Sequence, residues 1–134
     1  MIFVVQNVER CVVTMASGEA VSEIEDGFVV YVGLEVKDVS ESEENNINKA
    51  AEFIMEKTGK KNVMLLSQFT LMAKFKRHKK PSFHSAAGKE ISNPFFYGLK
   101  KRLNEFKKTE SGVFREHLKI RCISTSLKTA AYNL

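Results

Sequence analysis

The chain has 134 residues, 43% of them hydrophobic, with ten Phe, three Tyr and no Trp, which suits one domain spanning 1–134 with a real core and leaves no room for a second. No apolar run approaches the roughly 18–20 residues of a membrane span, so a soluble protein without a membrane partner is expected. The net charge of +5 hides an asymmetry: residues 1–56 carry 12 acidic and 3 basic side chains, whereas 57–134 carry 4 acidic and 18 basic. If the halves form opposite faces, the basic one attracts a polyanion; if they interleave, they neutralise each other.

Met1 to Val5 is apolar but lacks a basic flank and a cleavage site, so it reads as a first strand, not a leader. Residues 2–8 and 10–15, broken at Glu9-Arg10, predict two strands or one bent strand, and Ser17-Gly18 a turn. Glu19 to Ile24 alternates, Asp26-Gly27 is a hairpin-type turn signal, and Phe28 to Leu34 is a strand buried on both faces, completing a meander. From Ser40 the period changes. Ile47, Ala50, Ala51, Ile54 and Met55 lie on one helical face, with Ser40 and Glu43 placed as a capping box and Gly59 at the stop. The carboxylates at its start suit the helix dipole better than catalysis.

Asn62 to Phe69 predicts a central strand, and Asn93-Pro94 the start of a second helix with Phe96, Leu99, Leu103 and Phe106 as its buried stripe and Lys100, Lys101, Lys107 and Lys108 on other faces. Gly112–Ile123 and Lys128–Tyr132 predict closing strands around a polar turn, Ser124-Thr125-Ser126. Cys11 and Cys122 sit within apolar alternation and outside any C-x-x-C spacing, which predicts buried thiols in a reducing, cytoplasmic setting.

Hydroxyls at Ser67, Thr70 and Ser82 lie near His78 and His84 in sequence, but no G-x-S-x-G elbow is present, and the only aspartates, Asp26 and Asp38, sit in turn-like contexts. His78, His84 and His117 have no metal-ligand spacing, and phosphate-binding and dinucleotide loops are absent, so no metal and no cofactor are expected. What remains is the run Lys74, Phe75, Lys76, Arg77, His78, Lys79, Lys80. It suits successive phosphates, with Phe75 available to stack on an unpaired base, though a solvated loop has the same composition.

With these residues laid out, the chain resembles the D-aminoacyl-tRNA deacylase family, of the D-Tyr-tRNA deacylase type. The likeness is densest in Ser67-Gln68-Phe69-Thr70-Leu71 followed by Ala73, in Pro81-Ser82-Phe83 with Ala86-Ala87, and in Tyr97 on its helix. It continues through Gly112-Val113-Phe114 to Leu118 and Ile120, with weaker echoes at Val5-Gln6, Val8, Gly27 and Val32-Gly33. The resemblance implies a compact, β-rich α/β (α+β) fold with mixed, barrel-like sheets and two main helices, acting as a homodimer with the pocket at the interface. It implies a proofreading hydrolase that cleaves the ester between a D-amino acid, or glycine, and the terminal adenosine of tRNA, without metal or covalent intermediate. Ser67, Gln68, Phe69 and Thr70 then form the catalytic wall. Ala87, Phe114, Leu118, Ser126 and Leu127 shape the substrate pocket, and Lys74, Lys76, Arg77, Lys79 and Lys80 contact tRNA.

Three departures accompany the likeness. The family's Gly-Pro pair, which reaches from the partner subunit to reject L-amino acids, aligns with Ser126 and Leu127. Its Arg after the N-terminal Gln aligns with Asn7, and the stretch between Phe53 and Asn62 is short. Leu127 lacks proline's fixed φ, so the loop geometry differs. A cytoplasmic, homodimeric deacylase of D-aminoacyl-tRNA or Gly-tRNA is the leading expectation. A nucleic-acid-binding module that keeps the fold without turnover is the alternative, and an interaction protein without nucleic-acid affinity is a third.

Overall fold

Two fourteen-residue strands, β1 (Ile2–Met15) and β2 (Ala20–Gly33), form a long antiparallel hairpin through the turn at Ser17-Gly18, where Gly18 takes φ 96°. The computed structural model describes residues 1–77, 79–114, 116–124 and 128–134. After β2 come a one-turn helix α1 (Val36–Ser40), the helix α2 (Glu43–Thr58) and strand β3 (Asn62–Ser67). A 3-10 turn (Phe69–Met72), helix α3 (Lys89–Asn104) and strands β4 (Thr109–Ser111), β5 (Leu118–Ile123) and β6 (Thr129–Asn133) complete the chain. The strands form one mixed sheet in the order β4-β3-β2-β1-β5, with β6 also on β1. β3 runs parallel to β2 and to β4. The free edge of β1 is shared end to end: β6 pairs with Ile2–Gln6 and β5 with Arg10–Met15, leaving Asn7 near the gap between them.

Alternation along the strands feeds two cores. Phe3, Val5, Val30, Val32, Val63 and Leu65 meet Ala50, Ala51 and Ile54 of α2 and Phe95, Phe96, Leu99 and Leu103 of α3. Val8, Cys11, Val13, Ile24, Val29, Met64 and Leu66 form a second core on the other side. Thus β3 is buried on both faces, as its continuous apolar run requires. The second core is enclosed because the sheet curls: Ser22 of β2 donates from its hydroxyl to the Ser111 carbonyl of β4 at 2.8 Å, and lies 3.5 Å from the Met64 sulfur.

The Asp26-Gly27 pair is not the expected hairpin turn. β2 runs straight through it, with Asp26 in a left-handed conformation (φ 42°) as a kink and pairing resumed in the same register on either side. Gly27 is needed for close approach: a Cβ there would lie 2.2 Å from the Asn62 carbonyl oxygen at the start of β3. The expected meander is therefore one hairpin followed by a helical crossover to a parallel strand.

Other boundaries also differ from expectation. Ser40 ends α1, and α2 starts after Ser42; the reciprocal carboxylate–amide contact lies earlier, where Asp38 Oδ2 accepts from the Glu35 amide at 2.8 Å. The same carboxylate lies 3.0 Å from the buried Met1 amino group. Gly59 does end α2. Helix α3 begins at Lys89, so Pro94 stands inside it. Phe95 takes the buried place assigned to Phe106, which is exposed. Lys107 is buried, not a surface charge. Its ammonium donates to Thr58 Oγ1 at 2.5 Å and to the Gly59 carbonyl, so a cation sits at the negative end of α2. Burial holds that ammonium's pKa below the ordinary lysine range. Residues 112–123 are not one strand: a loop separates β4 from β5.

The halves of opposite charge meet at Lys61–Asp26 (3.0 Å) and Lys74–Glu35 (3.7 Å). Among the described residues, no helix is long and apolar enough to cross a membrane.

Gly27→Ala places a methyl group against backbone that cannot yield, and should destabilise the fold by about 3 kcal/mol or more. Urea unfolding monitored by circular dichroism measures this, and a loss below about 0.5 kcal/mol, the scale of an ordinary surface change, contradicts it.

Candidate functional site

At the C-terminal end of β3 the chain leaves the sheet and opens a cavity of about 560 Å³, within the range of about 300–1,000 Å³ usual for small-molecule sites. Ser67, Gln68 and Phe69 form one side. Their placement follows from β2: the Gln68 amide donates to the Val32 carbonyl at 2.8 Å, and the 3-10 turn then lies across the end of that strand. Gly33 makes this possible, because a Cβ there would lie 2.8 Å from Leu71 Cβ and 3.2 Å from the Gln68 carbonyl oxygen. Phe69 stands exposed at the mouth, edge-on to Phe83 with centroids 5.3 Å apart.

The opposite side is built from the 83–89 segment and α3. The Ala87 amide donates to the Leu34 carbonyl at 2.8 Å, and Ala86 bridges to Glu35, so this wall is tied to the end of β2 as well. Phe96, buried on α3, meets Phe114 with centroids 6.1 Å apart, and both line the cavity with Leu118 of β5. Gly88, Lys89 and Ser92 bring the N-terminal turn of α3 to the cavity, adding the positive end of a sixteen-residue helix and one ammonium group.

Six residues assigned from sequence are therefore brought together: Ser67, Gln68, Phe69, Ala87, Phe114 and Leu118. Thr70 is not among the lining residues; it is exposed, and its hydroxyl oxygen accepts from Gln68 Nε2 at 2.5 Å. Ser126 and Leu127 lie outside the described residues. Their flanks are held at one point: the Asn7 amide donates to the Lys128 carbonyl at 3.0 Å, and the Asn7 carbonyl accepts from Ser124 Oγ at 2.7 Å. Position 7 thus contacts both Ser124 and Lys128 through its backbone.

Lys74, Lys76, Arg77, Lys79 and Lys80 do not line the cavity but form an exposed loop beyond the 3-10 turn. Lys74 pairs with Glu35, whose carboxyl is held below its ordinary pKa by Lys37 first and Lys74 in addition. Among the described residues, the ion pairs leave Lys76, Arg77, Lys79 and Lys80 without a carboxylate, and Phe75 beside them is 72% exposed. Ser82 Oγ and His84 Nδ1 are 3.1 Å apart, but neither lines the cavity. Among the described residues, no group of three or more His, Cys, Asp or Glu is placed to hold a metal ion.

The cavity also contains residues that the sequence pattern did not single out for it: Tyr31, Lys89, Ser92, Phe96, Glu116 and His117. Lys89 and Ser92 precede Asn93-Pro94 and so fall outside the helix expected from sequence, although Glu90 in the first turn and Gly88 before it are helix-start signals. Glu116 and His117 lie in the loop that was read as strand. Burial, with the thiols of Cys122 and Cys11 adding, pushes the Tyr31 phenol above its ordinary pKa.

The family model described as D-Tyr-tRNA(Tyr) deacylase matches residues 4–126. The chain belongs to that family. A curated D-aminoacyl-tRNA deacylase from Persephonella marina is 30% identical, over 90% of this chain and 88% of that protein. A solved structure titled c-Myc DNA Unwinding Element Binding Protein is 26% identical, with a TM-score of 0.78 over 100% of this chain and 99% of that one. The structure of a probable eukaryotic D-amino acid tRNA deacylase, 11% identical, shares the fold, with a TM-score of 0.80 and coverage of 99% and 98%. The match to the deacylase family thus spans β1 to β5, the cavity and the basic loop alike.

Proposed function

We propose that the cavity at the end of β3 is where this chain performs the reaction of its family. The chain is a D-aminoacyl-tRNA deacylase, an ester hydrolase of translational proofreading, which releases free amino acid and tRNA. The observation that carries the assignment of the site is the convergence of Ser67, Gln68 and Phe69 with Ala87, Phe114 and Leu118 on one cavity, although they come from separate parts of the chain.

In this reading the amino acid enters the cavity against Phe96, Phe114 and Leu118, and the ester carbonyl lies along Ser67 to Thr70. Water attacks the carbonyl carbon, and the electron pair moves to the carbonyl oxygen. Donors along the Ser67–Thr70 turn hold the developing oxyanion, with the positive end of α3 and Lys89 across the cavity. Collapse of the adduct breaks the ester C–O bond and expels the ribose oxygen of the terminal adenosine, which leaves as a hydroxyl with the proton given up by the attacking water. Thr70 acts as a hydrogen-bond donor, not a nucleophile. Its oxygen accepts from the Gln68 amide group, which is no base, so the hydroxyl hydrogen remains to donate to substrate. The exposed basic loop receives the phosphates of the 3′ end, with Phe75 at hand for a base.

Val113, Ile120 and Ile123 are exposed apolar side chains at and beyond the cavity rim, which supports a homodimer whose interface covers it and brings the partner's 126–127 segment to the pocket. Each protomer is one domain, 1–134, and cytoplasmic residence suits the substrate.

Incubation with D-Tyr-tRNA, L-Tyr-tRNA and Gly-tRNA tests the function. D-Tyr-tRNA or Gly-tRNA should be hydrolysed well above the uncatalysed rate; turnover of none, with tight salt-dependent tRNA binding retained, would instead mark a binding module. Thr70→Ala should slow deacylation about tenfold, the cost of one hydrogen bond of about 1.4 kcal/mol. A loss of several orders of magnitude would mean that Thr70 is a nucleophile. Replacing Lys76, Arg77, Lys79 and Lys80 together by Ala should raise KM at unchanged kcat and reduce the slope of log affinity against log salt by roughly 3. An unchanged slope places the tRNA elsewhere.

A further inference from the structure

The two cysteines have no part in the reaction proposed above, yet they face each other across neighbouring strands. Cys11 of β1 and Cys122 of β5 are directly opposed in the antiparallel register; both are free thiols, and their Sγ atoms are 3.4 Å apart. Directly opposed antiparallel residues have Cα atoms about 4.5–5.5 Å apart, inside the window of about 4.4–6.8 Å that a disulfide accepts. Bond formation therefore asks the sulfurs to close to about 2.05 Å by side-chain rotation, with the strand register kept.

The pair is also ordered by access. Cys11 is wholly buried in the second core, whereas Cys122 is half-buried on the outermost strand. Burial, together with the contact to Cys122, pushes the Cys11 thiol up to about 12, which makes Cys122 the thiol that meets an oxidant first.

We propose that Cys11 and Cys122 form a redox couple, which a peroxide oxidises to an intramolecular disulfide tying β5 to β1 beneath the cavity. In the first step Cys122 sulfur attacks the peroxide O–O bond; an S–O bond forms, the O–O bond breaks, and the leaving oxygen departs as water with the thiol proton. In the second, Cys11 sulfur attacks the Cys122 sulfenic acid, the S–S bond forms, the S–O bond breaks, and a second water leaves with the Cys11 proton. The two thiols lose two electrons and the peroxide gains them. The tie matters for the site because β5 carries Leu118 and Ile120 into the cavity wall, and Tyr31, close to both thiols, lines the same cavity. Oxidation thus fixes one wall of the pocket to the hairpin.

The test uses the intact chain, reduced and then treated with hydrogen peroxide. Mass spectrometry should find a loss of two hydrogens per chain, no alkylation by iodoacetamide after denaturation, and a linked peptide pair containing residues 11 and 122. Hydrogen exchange of the 118–123 amides should slow in the oxidised protein and recover with dithiothreitol. Cys11→Ala and Cys122→Ala should each abolish the mass change, but the wild-type readouts decide the matter without them. Two alkylatable thiols after oxidation, over-oxidation of Cys122 beside a free Cys11, a disulfide between two chains, or a linked pair with unchanged exchange in β5 would each overturn the proposal.

Discussion

The parallel pairing of β2 with β3 is the constraint on which the rest of the molecule depends. It requires the β2 backbone to lie closer to its neighbours than a side chain permits at both ends of the segment that pairs with β3. At Gly27 the Asn62 carbonyl occupies the space of a Cβ, and at Gly33 the Gln68–Met72 turn does. Between them, Phe28 to Val32 pairs with Val63 to Ser67, and the Gln68 amide extends the ladder onto the Val32 carbonyl. The hairpin thus aims Ser67, Gln68 and Phe69 at one place. The opposite wall hangs from the same strand end through Leu34 and Glu35, so a shift of β2 moves both walls together.

Much of this was legible in the residues. A 3.6-residue period marked α2, a continuous apolar run marked β3, and runs rich in Val, Ile and Phe marked β1 as two strands or one bent strand, because each pattern reports burial along a single element. Features that depend on a second element were not legible. Asp26-Gly27 has the composition of a turn, but the glycine serves a neighbouring carbonyl that only the tertiary fold brings near. Pro94 looks like a helix start by local rule, yet α3 begins upstream, where Gly88 and Lys89 sit beside the cavity. Lys107 looks like any surface lysine until α2 ends against it and its ammonium takes up the Thr58 and Gly59 oxygens.

The site was legible where a motif marks it and hidden where position does. Ser67 to Phe69, Ala87, Phe114 and Leu118, the positions singled out through the resemblance, line one cavity. Thr70, next in the chain to Phe69, is exposed and joined to Gln68. Tyr31, Lys89 and Glu116 enter because a curled sheet, a helix start and a loop meet there, which no linear spacing encodes. Asn7 likewise acts through its backbone: its amide donates to the Lys128 carbonyl and its carbonyl accepts from Ser124 Oγ. Backbone contacts of this kind leave no mark in the residue type, so the sequence does not announce them.

The central claim is that the cavity at the end of β3 receives the aminoacyl end of tRNA with its ester along the Ser67–Thr70 turn. Backbone-amide NMR of the chain, titrated with D-tyrosyl-3′-amino-3′-deoxyadenosine, in which a stable amide replaces the ester, tests this most directly. Saturable shifts should appear at residues 67–70, at 87–89 and at Phe114 and Leu118, while the groove of Met55, Arg102 and Phe106 on the outer helical face stays unchanged. Saturable binding that leaves residues 67–70 unperturbed would contradict the account.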